Sequence, residues 1–145
     1  MNISGETVVL LAAENNHKET VELLLQNNAK INLKDVAGRT ALTYAAMYGY
    51  QEIVNILLQN NADINAKDKY GWTALSRAAD HGNREIVEIL IQNNADVNAK
   101  NKNGMTALMF AAGEGKTAVF SALLKKGADI KAQENDGTSL LMCAA

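Results

Sequence analysis

The sequence predicts an all-α solenoid, which is a row of similar helix pairs with turns that project from one side. The first observation is that segments of the chain recur at intervals of 33 residues. The second is that the apolar residues of each copy follow the spacing of helices and not the alternation of strands. The third is that neither helix of one copy could bury its apolar stripe alone, so neighbouring copies must share one core.

The repeat is clearest in three segments that start at glycines: GRTALTYAA at Gly38, GWTALSRAA at Gly71 and GMTALMFAA at Gly104. A longer segment, EIVNILLQNNADINAK, starts at Glu52 and returns in the same phase as EIVEILIQNNADVNAK at Glu85. We therefore predict one continuous domain over residues 1–145 without linkers. Its units span residues 2–34, 35–67, 68–100 and 101–133, and a partial unit spans 134–145.

The elements of the second unit show why each copy should form two helices. Thr40 can cap the first helix through its hydroxyl, and Gly49 ends it at a sharp turn. Asn61 follows the second helix, where a left-handed backbone is usual and Asn is the next most tolerant residue after Gly. The fourth unit has Gly127 at that place. The apolar faces at helical spacing are Ala41, Leu42, Ala45 and Ala46, then Ile53, Val54, Leu57 and Leu58.

These motifs resemble the ankyrin repeat over essentially the whole chain. The matching segments are DVAGRTALTYAA from Asp35, DKYGWTALSRAA from Asp68, ADIN from Ala62 and ADVN from Ala95. The chain departs from the family pattern where Pro and then His are usual, at Ala41, Ala74 and Ala107 and at Thr43, Ser76 and Met109. The resemblance implies an ankyrin-repeat solenoid of stacked helix-turn-helix units with projecting β-turns or hairpin loops. It also implies a domain that binds another protein and carries out no chemistry.

The composition bears on the kind of partner and on the compartment. A net charge of −2 and a pI of about 5.7 argue against nucleic acid as a partner. No apolar run approaches the length needed for membrane insertion. The single cysteine, Cys143, excludes an intramolecular disulfide and fits a reducing, intracellular, cytoplasmic location, with a secreted effector left open. We expect a monomer, although the apolar C-terminal end could pair with itself.

The residue patterns predict neither an enzyme nor a cofactor site. The GEGKT segment at Gly113 lacks the first glycine of a phosphate-binding loop, and no strand precedes it. His17, His81 and Cys143 have no metal-ligand spacing. Ser76 lies in the same unit as His81, but no acidic residue orients that pair for nucleophilic catalysis.

The expected binding surface is formed by positions that the ankyrin framework does not dictate, at the turn tips and at the end of each first helix. Tyr48 and Trp72 should form its centre, because Trp, Tyr and Arg most often anchor protein interfaces. The alternative is that Trp72 packs on the neighbouring turn. Tyr44 and Arg77 either extend the surface or pad the stack. The predicted binding residues are Arg39, Met47, Tyr48, Lys69, Tyr70, Trp72, Asp80, His81, Lys102, Met105 and Glu114.

Two asparagines raise a second possibility. Asn98, after Asp96 and Val97, resembles the target of asparaginyl hydroxylases in ankyrin-like domains, and Asn65 nearly matches it. The alternative is that these asparagines tie down their loops through bonds from side chain to backbone.

Three hypotheses for the function stay open. The first is a non-catalytic interaction module that binds a protein partner through the concave face made by turns and first helices. The second is the regulatory or targeting segment of a larger enzyme or host-directed effector whose catalytic part is absent. The third is a designed binder, although the uneven drift between the units favours a natural origin. The final apolar residues, 140–145, fit either a short cap helix on the fourth unit or a cut within a longer protein.

Overall fold

The computed structural model describes residues 5–139, and that part of the chain contains eight helices in four successive pairs. Within the same residues it contains no strand, only an isolated bridge between Gln133 and Ser139. The helices are α1 (Gly5–Glu14), α2 (Lys18–Gln26), α3 (Ala41–Tyr48), α4 (Gln51–Gln59), α5 (Ala74–Asp80), α6 (Arg84–Gln92), α7 (Ala107–Gly113) and α8 (Thr117–Lys125). The all-α repeat architecture predicted from the sequence is confirmed.

The helices form two parallel rows. The first helices, α1, α3, α5 and α7, pack more closely on one another than the second helices, α2, α4, α6 and α8. Fully buried alanines permit this close approach, because their side chains are small; they include Ala45, Ala46, Ala78 and Ala79. Closer packing on one side bends the array toward the row of first helices, which we call the inner row. The surface formed by the inner row and the turn tips is called the inner face below.

The core runs along the array between the two rows. The second helices fill it with large aliphatic side chains that are fully buried, namely Ile53, Leu57, Ile86, Leu90 and Leu123. Each of these side chains packs where the two rows of helices meet. Truncation of Leu57 to alanine would cost about 2–5 kcal/mol of folding free energy.

The inner helices begin at threonine caps. The hydroxyl of Thr40 accepts a hydrogen bond from the backbone N–H of Thr43 at 3.2 Å, as the sequence predicts. The Thr43 hydroxyl accepts a bond in return from the backbone N–H of Thr40. Thr73 and Ser76 make the same reciprocal pair. Thr43 and Ser76 thus replace the usual histidine with a hydroxyl that closes a capping box.

The outer helices end at residues with a left-handed backbone. Asn28, Asn61 and Asn94 have φ values of 63°, 64° and 66°, and Gly127 has a φ of 87°. Asparagine is the residue that adopts this conformation most readily after glycine. The helix stops predicted from the asparagines are therefore confirmed.

The projecting turns are joined into a row by backbone hydrogen bonds between units. The N–H of Lys69 donates to the carbonyl of Ala37 at 2.9 Å, and the N–H of Lys102 donates to the carbonyl of Tyr70 at 3.0 Å. This close approach explains Gly71. A Cβ atom there would lie 2.9 Å from Cα of Asn101, and the φ of 83° already disfavours any other residue. The tips are fixed to one another and form a continuous ridge.

A further turn follows the fourth helix pair. The N–H of Glu134 donates to the carbonyl of Thr138 at 2.8 Å, and the N–H of Asn135 donates to the carbonyl of Asn103 at 2.8 Å. The turn at Glu134 therefore extends the ridge beyond the tips that start at Asp35, Asp68 and Asn101. Residues 140–145, with Cys143 and the expected cap helix, lie outside the described residues.

Candidate functional site

The structure places most of the predicted binding residues on the surface. Those that are exposed are Tyr48, Lys69, Tyr70, His81, Lys102 and Glu114, and those that are partly exposed are Arg39, Trp72, Asp80 and Met105. Met47 differs, since it is only 9% exposed and belongs to the core. The loop before α6 covers it, where the Asn83 side chain donates to the carbonyls of Ala46 and Met47 at 2.9 and 3.2 Å. The expectation that Met47 contributes to the binding surface is therefore wrong.

An aromatic cluster supports Tyr48 at the end of α3. The Tyr48 ring lies between Tyr44 and Tyr50, with ring centroids 6.3 Å and 5.8 Å away. The guanidinium of Arg39 lies 5.0 Å from the centroid of Tyr44 on the same face. Tyr44 is buried, whereas Tyr48 is 47% exposed. Tyr48 is thus an aromatic side chain that is held in place by its neighbours and still accessible to a partner.

Tyr44 connects the inner helix to the turn tip of its own unit. Its hydroxyl donates to Oδ2 of Asp35 at 2.6 Å. Oδ1 of Asp35 accepts the backbone N–H groups of Ala37 and Arg39 at 2.8 and 2.9 Å. Partial burial acts to raise the pKa of Asp35, but these hydrogen bonds and the charge of Arg39 together lower that pKa below its usual value. Burial, and then the bond to Asp35, raise the pKa of Tyr44.

Trp72 packs across the boundary between the third and fourth units. Its ring stacks on Phe110 with a centroid distance of 4.0 Å and an interplanar angle of 27°. The guanidinium of Arg77 lies 4.1 Å from the Trp72 centroid. The ring is therefore only partly exposed. Of the two readings that the sequence allows for Trp72, packing on a neighbour is the one that these contacts support.

Arg77 is held by the turn tip in the same way as Tyr44. It donates through Nη2 to Oδ2 of Asp68 at 2.6 Å, and the Asp68 side chain is almost fully buried. Oδ1 of Asp68 accepts the backbone N–H groups of Tyr70 and Trp72 at 2.9 and 3.0 Å. Both Tyr44 and Arg77 are thus committed to contacts within their units. Between the two roles that the sequence left open, these contacts support padding of the stack.

Asp35 and Asp68 are not among the binding residues predicted from the sequence. A comparison of the repeat units would nevertheless have indicated that each is paired with a residue of its inner helix. In the fourth unit the equivalent of these aspartates is Asn101, and the helix position nine residues later is Phe110. Asn101 still accepts the N–H groups of Asn103 and Met105, both at 2.9 Å. A carboxylate therefore occurs where the helix offers a donor, and a neutral amide occurs where the helix offers a phenyl ring.

A family model described as ankyrin repeats, in three copies, matches residues 1–68 and 75–145. The chain belongs to the ankyrin repeat family. A search among curated proteins returned no match to it. Ankyrin repeats are in general modules for interaction between proteins. Within the described part of the chain, no helix has the length and hydropathy needed to cross a membrane.

The ridge of tips carries three exposed side chains of the predicted binding surface, namely Lys69, Tyr70 and Lys102. Tyr70 is 54% exposed, and the ammonium of Lys69 lies 5.0 Å from its ring centroid. At the opposite edge of the inner face, Nδ1 of His81 lies 2.9 Å from the carbonyl oxygen of Arg77 and 3.7 Å from Oδ2 of Asp80. The tips and the ends of the inner helices therefore form two separate edges of the inner face.

The two asparagines considered for hydroxylation bridge neighbouring repeats. Oδ1 of Asn65 accepts the N–H of Asp96 at 2.9 Å, and Oδ1 of Asn98 accepts the N–H of Asp129 at 2.8 Å. Both residues are exposed at the surface. Each of these side chains therefore holds a loop of the following unit through a hydrogen bond to its backbone. This role is close to the alternative considered for these asparagines, in which they tie down loops through bonds from side chain to backbone.

The described side chains that could bind a metal ion are not grouped together. Among residues 5–139, no group of three or more His, Cys, Asp or Glu side chains is placed to hold one. The GEGKT segment forms the turn between α7 and α8, and Gly115 within it has a φ of 66°. This is the helix–helix turn expected from the register of the repeat.

Proposed function

We propose that this ankyrin array binds a protein partner through its inner face, without chemistry, and that Tyr48 and Tyr70 are its main contacts. The observation that carries the proposal is that both rings are about half exposed, at 47% and 54%, one at the end of α3 and the other on a turn that is hydrogen-bonded to the next turn. Tyrosine supplies large contact area and a hydroxyl at a low cost in side-chain entropy. A partner would thus gain contact area without having to order these rings.

The pre-organisation of the surrounding residues supports this proposal. Tyr48 stacks on Tyr44 and makes a tilted ring contact with Tyr50, and the backbone carbonyl of Tyr70 accepts the N–H of Lys102 from the next tip. Val36, at the tip of the preceding unit, is fully exposed although it is apolar. Exposed apolar side chains that are grouped on one surface are typical of sites for protein interaction. A lower entropy cost on binding leaves more of the contact energy as affinity.

We further propose that Arg39, Lys69, Lys102 and the partly exposed edge of Trp72 extend this surface. The four helix pairs support the division into units at residues 35, 68, 101 and 134. A reducing, cytoplasmic compartment fits the proposal, because a single cysteine forms no intramolecular disulfide. We propose that the chain acts there as a monomer.

A photo-cross-linking amino acid incorporated at single positions tests the proposal. Variants at Tyr48 and Tyr70 are compared with one at Leu23, which is 61% exposed but lies on α2 in the outer row. In extract from the cells that make the protein, positions 48 and 70 should yield a discrete cross-linked species that position 23 does not yield. Equal cross-linking at all three positions, or cross-linking at Leu23 alone, would refute the proposed surface.

A further inference from the structure

The loops that follow the outer helices present a regular surface of asparagine and lysine side chains. Segments 30–36, 63–69 and 96–102 lead from α2, α4 and α6 to the next tips, and exposed and less exposed residues alternate along each of them. We call the exposed side of these segments the loop face. Its repeated polar residues are Asn32, Asn65 and Asn98, followed two positions later by Lys34, Lys67 and Lys100.

The lysines form a row along the array. Nζ of Lys34 donates to the carbonyl of Lys67 at 2.8 Å, and Nζ of Lys67 donates to the carbonyl of Lys100 at 2.9 Å. An ammonium group has three N–H donors, so each of these two groups keeps its charge and two further donors. Lys69 and Lys102 continue the row at the tips, where both are exposed. The loop face thus carries five exposed ammonium groups, two of which are fixed to the next unit.

Acidic side chains do not neutralise this row. Among the side chains that the structure describes, no ion pair includes any of the five lysines. The aspartates of the tips pair with Arg39 and Arg77 instead. Asp63 and Asp96 lie on the loop face, but each turns Oδ1 to the N–H of the residue two positions later. The lysines outnumber these two aspartates, so the loop face is positive.

The asparagines add neutral donors to the same face. Oδ1 of Asn32 accepts the N–H of Asp63 at 2.8 Å, and Asn65 and Asn98 make the same bond to the next unit. The amide oxygen is thereby occupied, whereas Nδ2 is a donor only and has no acceptor among the described residues. Lysine ammonium groups and asparagine amide groups therefore offer N–H donors beside one another.

We propose that the loop face binds an acidic segment of a protein partner. Its carboxylates accept hydrogen bonds from Lys34, Lys67 and Lys100 and from the asparagine amides beside them. Hydrogen bonds from ammonium to carboxylate are charge-assisted and stronger than neutral ones. This inference goes beyond the proposed function, because it holds whether or not Tyr48 and Tyr70 contact a partner.

The charges elsewhere on the chain favour a protein over a nucleic acid as the acidic partner. The net charge is −2, and exposed glutamates, such as Glu19 and Glu85, lie in the first turns of outer helices. A long strand of phosphates that extends past the loop face meets repulsion from these charges. A short acidic segment of a protein is confined to the positive face.

A fluorescent peptide of alternating Glu and Ser, titrated with the full chain at low salt, tests the inference. A peptide of alternating Gln and Ser controls for uncharged contacts, and a DNA oligonucleotide with the same number of charges supplies phosphates. The wild type should bind the Glu peptide more tightly than either of the other probes. The inference is overturned if the Glu peptide does not bind, or if the Gln peptide or the oligonucleotide binds at least as tightly.

A pair of matched variants tests the place of binding. Lys67→Gln/Lys100→Gln removes two charges and keeps a donor in each side chain, and it should weaken binding of the Glu peptide about fivefold, as expected for two exposed charge pairs. Lys125→Gln/Lys126→Gln removes the same charge from exposed residues at the end of α8 and should leave binding unchanged. No loss in the first variant, or an equal loss in both, contradicts the proposal. Thermal melting shows whether both variants keep the fold.

Side-chain amide signals of the wild type locate the peptide without any substitution. In ¹H–¹⁵N spectra the Nδ2 signals of Asn65 and Asn98 should shift as the Glu peptide is added, because these groups gain acceptors. Asn60 and Asn93 are the controls, since Nδ2 of each already donates at 2.8 Å to the carbonyl of the residue four positions earlier. Unshifted signals of Asn65 and Asn98, or equal shifts of all four asparagines, would overturn the inference.

Discussion

Replacement of Asp68 measures how strongly each turn tip is coupled to its inner helix. In Asp68→Asn the side chain keeps an oxygen that can accept the N–H groups of Tyr70 and Trp72, as Asn101 does in the next unit. It loses the charge that faces Arg77. In Asp68→Ala both functions are lost. The two variants therefore separate the turn from the ion pair.

The magnitude follows from the burial of the pair. The side chains of Arg77 and Asp68 are 18% and 1% exposed, and Nε of Arg77 is already buried without a hydrogen-bond partner. Removal of one partner from a buried pair costs about 3–5 kcal/mol, and the residual exposure of Arg77 lowers this to about 2 kcal/mol for Asp68→Asn. Two further lost backbone bonds bring Asp68→Ala to about 3–4 kcal/mol. The melting temperature should fall by about 6 °C and about 10 °C.

A double variant that copies the fourth unit completes the test. Asp68→Asn/Arg77→Phe reproduces the pair formed by Asn101 and Phe110, so no charge is left without a partner. We expect it to recover about 1 kcal/mol relative to Asp68→Asn alone, measured by urea unfolding followed by circular dichroism. If Asp68→Asn is as stable as the wild type, or if Arg77→Phe brings no recovery, then the ion pair does not contribute as described. If Asp68→Asn is as destabilising as Asp68→Ala, then the two backbone bonds of the turn do not contribute.

Further predictions concern the backbone, the packing and the pH dependence. Gly71→Ala should cost more than 2 kcal/mol, whereas Gly115→Ala, with a positive φ but no atom within 4 Å of the new Cβ, should cost about 1 kcal/mol; equal losses would contradict the close approach of the tips. Asn61→Ala should lose about 1 kcal/mol and Asn61→Gly should lose none, because the φ is 64°. Trp72→Ala should lower the free energy of unfolding, measured with urea, by about 2 kcal/mol, since the ring stacks on its neighbours, and an unchanged free energy of unfolding would argue for an interface role alone. Asp35 has a lowered pKa in the folded state. Its contribution to stability is therefore present above the unfolded pKa of about 4 and is lost as the pH falls through the lower folded pKa. The difference in stability between wild type and Asp35→Asn should shrink from pH 7 to pH 3.

Features set by local conformation could be predicted from the sequence. The left-handed backbone at Asn61 depends on one residue type after an apolar helix, and the cap at Thr40 depends on a hydroxyl before one. Both are decided within a few residues of the chain. The period of 33 residues then extends each local prediction to the other units. For this reason the order of the elements, the helix stops and the core could all be anticipated.

Features that depend on contacts between units could not be predicted in the same way. Met47 belongs to a helix end that would be exposed in a single unit, and Asn83 of the next unit covers it. Trp72 is at a turn that would leave it exposed, and Phe110 of the next unit supplies its partner. In both cases the deciding neighbour is more than thirty residues away. Exposure in this array is therefore a property of two adjacent units.

The distribution of aromatic residues separates stability from recognition within the inner face. Tyr44 and Phe110 occupy the same helix position and are both buried, each matched to the polar residue of its own tip. Tyr48, one turn later, is matched to nothing in the tip and stays half exposed. A substitution at the first position leaves the carboxylate of the tip without its partner unless the tip residue changes as well, whereas a substitution at the second position changes the surface alone. The array can therefore acquire a new partner through the residues that follow Tyr44 and its equivalents, while the pairs beneath them keep the turns in place.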